Sequence, residues 1–234
     1  MENHNFNTVK VKDGTEIALY TAIPEGEGPF PALIVIQEAF GVNHHIRTLA
    51  ERYCQEGYAV VSPDLFHRTA VRIEVDYDDF SKAAPHFHAI TKEGLTADLQ
   101  AAYDFLASNE QVLQEKAGAV GYCLGGRVSF LANAVLPLSA AVSYYGGGLE
   151  QFRDEAEHLH GTHLFYWGGL DQHIGEEAIQ TITGAVKQAG KDYENIVFSY
   201  ADHGFNCDER ASYHPLAAKE AWAHTLAFFN GRLK

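Results

Sequence analysis

Ala119–Val120–Gly121–Tyr122–Cys123–Leu124–Gly125–Gly126 constrains this chain more than any other segment. An apolar run stops at a glycine, a cysteine follows two residues later, and two more glycines open a helical stretch. This is the nucleophile-elbow spacing G-x-Nuc-x-G, with cysteine where serine is usual. The turn from strand to helix is so sharp that the central residue adopts a strained backbone, and its neighbours two positions away must lack Cβ. The Cys123 sulfur then projects beside a helix N-terminus, whose positive dipole end favours a thiolate. The alternative is a buried strand-end cysteine, since free cysteine is among the most buried residue types.

Apolar runs and helical stretches alternate along the rest of the chain. Residues 7–12 and 16–23 read as two short strands around a tight turn at Asp13–Gly14. Residues 32–37, 58–62, 117–122, 140–145 and 162–167 read as strands buried on both faces, with a further strand at 193–200. Helices are expected over 43–56, capped by Asn43 and closed at Gly57, and over 94–108, 124–135, 176–189 and 214–230. Residues 64–93 read as irregular, an insertion or lid. The alternation predicts an α/β fold, a doubly wound and mostly parallel sheet with helices on both faces. With 234 residues, 46% apolar, and no composition break or repeat, one domain over 1–234 is expected.

Bulk chemistry narrows the partners. The formal charge of −14, from 31 acidic against 17 basic residues, opposes nucleic-acid binding, which needs a basic stripe. No 18-residue apolar run is present, so no membrane span is expected. The N-terminus carries no basic flank followed by an apolar segment, so no secretory signal is read. Cys54, Cys123 and Cys207 are odd in number and widely spaced, which fits neither a disulfide framework nor a zinc site. A reducing cytoplasm is the expected compartment.

In a doubly wound sheet, active sites collect at the carboxyl ends of the strands. Four reactive side chains fall at such ends: Glu38, Cys123, Asp171 and His203. Nucleophile, then acid, then histidine is the α/β-hydrolase order. His203 follows the strand at 193–200 and can act as general base and acid; with 13 histidines in the chain, a surface loop histidine is the competing reading. Asp171 follows Gly168–Gly169–Leu170 and can fix the His203 tautomer, or else cap the next helix. Asp202 is a rival acid, but neighbours on an extended backbone point apart. Glu38 ends an apolar run, where a charge is costly unless paired; it either sits near Cys123 or is partly solvated. The Leu124 N–H, joined by that of Ala39, is the expected oxyanion hole. A thiolate is both a good nucleophile and a good leaving group, which favours activated esters, lactones and thioesters over amides.

The chain resembles the dienelactone hydrolase (carboxymethylenebutenolidase) family of α/β-hydrolases. The resemblance runs through Gln37–Glu38–Ala39–Phe40–Gly41–Val42–Asn43, Ser62–Pro63–Asp64–Leu65–Phe66 and the Cys123 elbow. It continues in Tyr144–Tyr145–Gly146, Gly168–Gly169–Leu170–Asp171, His203–Gly204–Phe205 and the C-terminal stretch from Ala217 to Phe229. It implies a triad of Cys123, His203 and Asp171, hydrolysis of a small lactone or ester through an acyl-cysteine, and no cofactor or metal. Glu38 would contact Cys123 at rest and take its proton once substrate binds, so that thiolate forms only on demand and escapes oxidation. A monomer or small homo-oligomer is expected. In one respect the pattern departs: family members bear a carboxylate-gripping arginine four residues after the histidine, and here Cys207 stands there. A second family arginine, near 72–90, has only Arg72 and Lys82 as counterparts. Arg210 and Tyr144 are the candidate substrate-binding residues, although Arg210 can equally pair with Glu209 or Asp208.

Overall fold

The computed structural model describes residues 6–234, and the chain divides into two compact units, residues 1–117 and 118–234. In the first, β1 (Phe6–Lys10) and β2 (Glu16–Ala22) form an antiparallel hairpin. The turn between them is closed by Asp13, whose side chain accepts from the Thr15 amide and hydroxyl. β3 (Phe30–Ile36) runs parallel to β4 (Ala59–Pro63), which in turn pairs antiparallel with β2. Between β3 and β4 lies α1 (His44–Gln55); the Asn43 side chain caps it by accepting from the Ile46 amide, and Gly57 beyond its end has φ +88°.

Residues 64–93 are not wholly irregular. Phe80–His88 form α2, which tolerates Pro85 and has no side-chain cap. The segment before it is anchored to α3 (Lys92–Ala107): fully buried Asp98 accepts from His67 Nε2 at 3.0 Å and from Arg68 Nη1 and Nη2 at 2.7 and 2.8 Å.

β5 (Val112–Tyr122) starts earlier than the apolar run, and its last residues open the second unit. From there β5, β6 (Ala140–Tyr144), β7 (Thr162–Gly168) and β8 (Tyr193–Phe198) lie side by side, all parallel. The helices are α4 (Leu124–Val135), α5 (Glu176–Gln188) and α6 (Pro215–Leu233), and a 3-10 helix spans Leu149–His158, where no element was expected. Every residue of β6 is buried, which is why its sequence is continuously apolar apart from Ser143 and Tyr144. No helix among the described residues is long and apolar enough to cross a membrane.

Candidate active site

Cys123 stands between β5 and α4 with φ +53° and ψ −112°, a conformation that costs a non-glycine residue of order 1–3 kcal/mol. Two backbone bonds hold it there: the Cys123 amide donates to the Tyr144 carbonyl at the end of β6, and the Gly126 amide donates to the Cys123 carbonyl, both at 3.0 Å. The turn closes so tightly that a Cβ on Gly121 would lie 1.8 Å from the Gly125 carbonyl oxygen. Leu124 is buried and opens α4 at the position expected of an oxyanion donor.

A second close approach brings Asp171 to His203. Leu170 N donates to Ala201 O at 2.9 Å and Gly169 N to Phe198 O at 2.8 Å, lacing the end of β7 to the loop after β8. A Cβ on Gly168 would lie 2.6 Å from Ala201 O, and one on Gly169 2.6 Å from Ser199 Cα. Side chains at either glycine would force apart the loops that carry Asp171 and His203.

The three side chains meet. His203 Nε2 is 3.1 Å from Cys123 Sγ, and His203 Nδ1 is 2.7 Å from Asp171 Oδ2. The other Asp171 oxygen, Oδ1, accepts from the amides of His173 and Ile174 at 2.7 and 3.2 Å, whereas the helix cap weighed for this residue falls to Gly175, which makes no side-chain bond. Asp202 does not compete for the ring, since its Oδ1 accepts the His203 backbone amide at 2.6 Å. Burial pushes the His203 imidazole down, but hydrogen bonds to Asp171 and Cys123 and their negative charges outweigh it and hold its pKa up at about 10. For Asp171, burial pushes up; the hydrogen bond and charge of His203, with the amide of His173, more than offset this and keep the carboxyl below its ordinary value.

Other expected site residues fall as follows. Glu38 and Ala39 belong to the first unit, at the end of β3, and both are buried (0% and 2% exposed). The Gln37 side chain steadies that turn by donating to Glu38 O and accepting from the Leu65 amide. Arg210 is half-buried, and its guanidinium covers the loop beside His203: a Cβ on Gly204 would lie 2.6 Å from Arg210 Cζ. Cys207 is fully buried, so the position of the family arginine does not face solvent here.

Tyr144 departs from its expected role in substrate binding. Its ring is fully buried between Tyr122 and Tyr166, each 4.7 Å away, and its hydroxyl bonds Thr225 of α6 at 2.7 Å. Strand alternation aims the side chain into the core rather than off the strand end. Two residues that the sequence reading missed flank the histidine: the rings of Tyr145 and His173 stand edge-on to His203 at 5.2 and 5.3 Å. Tyr145 follows β6 directly and His173 lies two residues past Asp171; position at a strand end was the available signal for both.

Parallel strands feeding helices, a strained elbow and an acid–imidazole pair beyond the following strands define an α/β-hydrolase. A crystal structure from Klebsiella pneumoniae, provisionally titled a dienelactone hydrolase, superposes with a TM-score of 0.84 at 31% identity, covering 96% of this chain and 98% of that one. A Synechocystis protein provisionally named carboxymethylenebutenolidase is 31% identical over 229 residues, 94% of this chain and 93% of its own length. The carboxymethylenebutenolidase of Pseudomonas putida is 33% identical over 179 residues, 75% of each chain. The dienelactone hydrolase family profile matches residues 17–233. The chain belongs to the dienelactone hydrolase family and is a hydrolase acting on ester bonds.

Proposed function

We propose that the protein hydrolyses small lactones or esters through an acyl-cysteine on Cys123, with His203 as acid and base and Asp171 orienting it. The observation that carries this reading is the relay itself, sulfur to Nε2 at 3.1 Å and Nδ1 to carboxylate at 2.7 Å. A thiolate paired with the His203 imidazolium attacks the acyl carbon; the S–C bond forms, and the carbonyl electron pair moves to oxygen, facing the Leu124 N–H and that of Ala39. As the ester C–O bond breaks, the leaving oxygen takes the proton from His203 Nε2. A water molecule then gives its proton to Nε2 while its oxygen attacks the thioester. The S–C bond breaks, and the thiolate and imidazolium are restored. In a lactone, acid and alcohol leave as one molecule. Glu38 remains the fourth candidate residue of the proposed site, and the cytoplasm is the proposed compartment.

Replacing Cys123→Ala tests the reading: turnover of an activated ester falls to background while the circular-dichroism spectrum is retained. Turnover that survives removes Cys123 from the mechanism.

Burial of Cys207 favours a second reading, a carboxylesterase or thioesterase for neutral substrates. Placement of the Arg210 guanidinium over Gly204 favours an anionic one. Comparing kcat/KM for dienelactone with that for neutral p-nitrophenyl esters decides between them: a strong dienelactone preference that Arg210→Met abolishes assigns the carboxylate to Arg210, whereas equal rates select the neutral substrate.

A further inference from the structure

Behind the elbow lies a buried chain of polar groups that the triad does not use. Asn133 on α4 is doubly tied to Gly161, with its Nδ2 donating to the Gly161 carbonyl and its Oδ1 accepting the Gly161 amide, both at 2.9 Å. Those two bonds fix which end of the amide is the donor. The same Nδ2 faces His163 Nδ1 at 3.4 Å, so that ring nitrogen is an acceptor and the ring proton sits on Nε2. Nε2 lies 2.8 Å from Ser143 Oγ, and Ser143 in turn donates to the Gly126 carbonyl at 2.5 Å. Each group therefore has one consistent role, and the direction of donation runs from Asn133 to His163 to Ser143 to Gly126.

All three side chains are fully buried. His163 is packed against Phe165 and Phe130, with ring centroids 4.4 and 5.2 Å away. Burial pushes its pKa down to about 3, so the ring is neutral around pH 7 and keeps the single tautomer the chain of bonds requires. Gly126 is where this chain ends, and its amide already holds the Cys123 carbonyl. One residue of the first turn of α4 is thus pinned on both sides, to Cys123 through its N–H and to β6 through its C=O.

We propose that Ser143 and His163 are positioning residues for the reaction: together they fix the first turn of α4, and with it the direction of the Leu124 N–H and of the Cys123 sulfur. The inference rests on the reading of Cys123 as nucleophile. Neither side chain touches substrate. Their effect falls on transition-state geometry, where a misplacement of a fraction of an ångström to 1 Å costs up to ~10²-fold.

Stability and catalysis respond differently to their removal, and that separates positioning from packing. Ser143→Ala takes away the donor to Gly126 and leaves the buried His163 N–H without an acceptor, which lowers both stability and kcat. Adding His163→Phe removes the stranded donor and replaces it with a ring of similar shape, so stability recovers; exchanging both partners for apolar groups is close to neutral. The Gly126 carbonyl still lacks its bond, so kcat stays down by about tenfold with KM within about twofold. Urea denaturation and steady-state kinetics on an activated ester, run on the wild type, both single variants and the double variant, read the two quantities. If kcat recovers along with stability in the double variant, or if Ser143→Ala leaves kcat unchanged, the positioning role is overturned. Cys123→Ala in the same series keeps the two ideas apart: loss of turnover there with unchanged kcat in Ser143→Ala rejects the positioning role alone, and surviving turnover rejects the nucleophile itself.

Discussion

Tyr144 and Tyr145 stand next to each other at the end of β6 and do opposite things. The peptide between them carries one ring into the core, where its hydroxyl bonds Thr225, and sets the other edge-on to His203. The Tyr145 amide still donates to Tyr166 O across to β7, but its φ of +38° turns the chain at this point rather than continuing it as strand. Removing the Tyr144 hydroxyl tests the assignment to the core. Tyr144→Phe is expected to lower stability by about 1 kcal/mol, the worth of one buried hydrogen bond, with kcat and KM unchanged. A raised KM would return Tyr144 to the substrate. For Cys123, Asp171 and His203, residue type and chain order were readable, because the proposed nucleophile, acid and base must stand at strand ends in a fixed succession. The two faces of the Asp171 carboxylate were not: one oxygen meets His203 Nδ1 and the other the amides of His173 and Ile174, while the start of α5 is left to Gly175.

Elements buried on both faces announce themselves. β3, β4 and β6 are continuous apolar or small-residue runs because, Phe30 apart, nothing on them meets water, and the sequence places them to within a residue or two. Where tertiary contacts alone decide, the sequence is mute. α2 contains Pro85 and lacks a cap, so its local propensity argues against a helix. It forms because Phe80 packs against Phe40 and Phe87, and because His86 reaches Thr69 at 2.7 Å. The start of β5 was likewise invisible, since Leu113–Lys116 are polar or part-exposed and only strand pairing extends the element. The segment before α2 depends in turn on Asp98, which neutralises Arg68 and bonds His67. Asp98→Ala leaves the buried His67 ring and the Arg68 guanidinium without their shared acceptor. The expected cost is about 3 kcal/mol, discounted from a fully buried pair because the Arg68 side chain is 29% exposed. Urea denaturation measures it, and a midpoint shift worth under about 0.5 kcal/mol would show that this anchor does not hold the segment.

At the scale of the whole molecule, two buried histidines tilt stability in opposite directions. His163 has its folded pKa lowered to about 3 from 6.5, so the unfolded chain takes up a proton that the folded one refuses as pH falls. Its contribution is complete above pH 6.5 and is lost progressively toward pH 3. His203 has its folded pKa raised to about 10, so the folded chain keeps a proton that the unfolded one releases. That contribution is complete below pH 6.5 and is lost as pH rises through 10. Asp171, held below its ordinary value, adds stability that is present above pH 3.8 and disappears only in stronger acid. The sum is a stability maximum near pH 6.5 from these groups, falling on each side by up to about 1.4 kcal/mol per pH unit for each histidine. Denaturant titrations from pH 4 to 10 resolve the two limbs by difference. His163→Phe flattens the acid limb and leaves the alkaline one, while His203→Asn flattens the alkaline limb and leaves the acid one. An alkaline limb that survives His203→Asn would mean that the imidazolium is not held by Cys123 and Asp171, and the ion pair on which the proposed chemistry starts would be absent at rest.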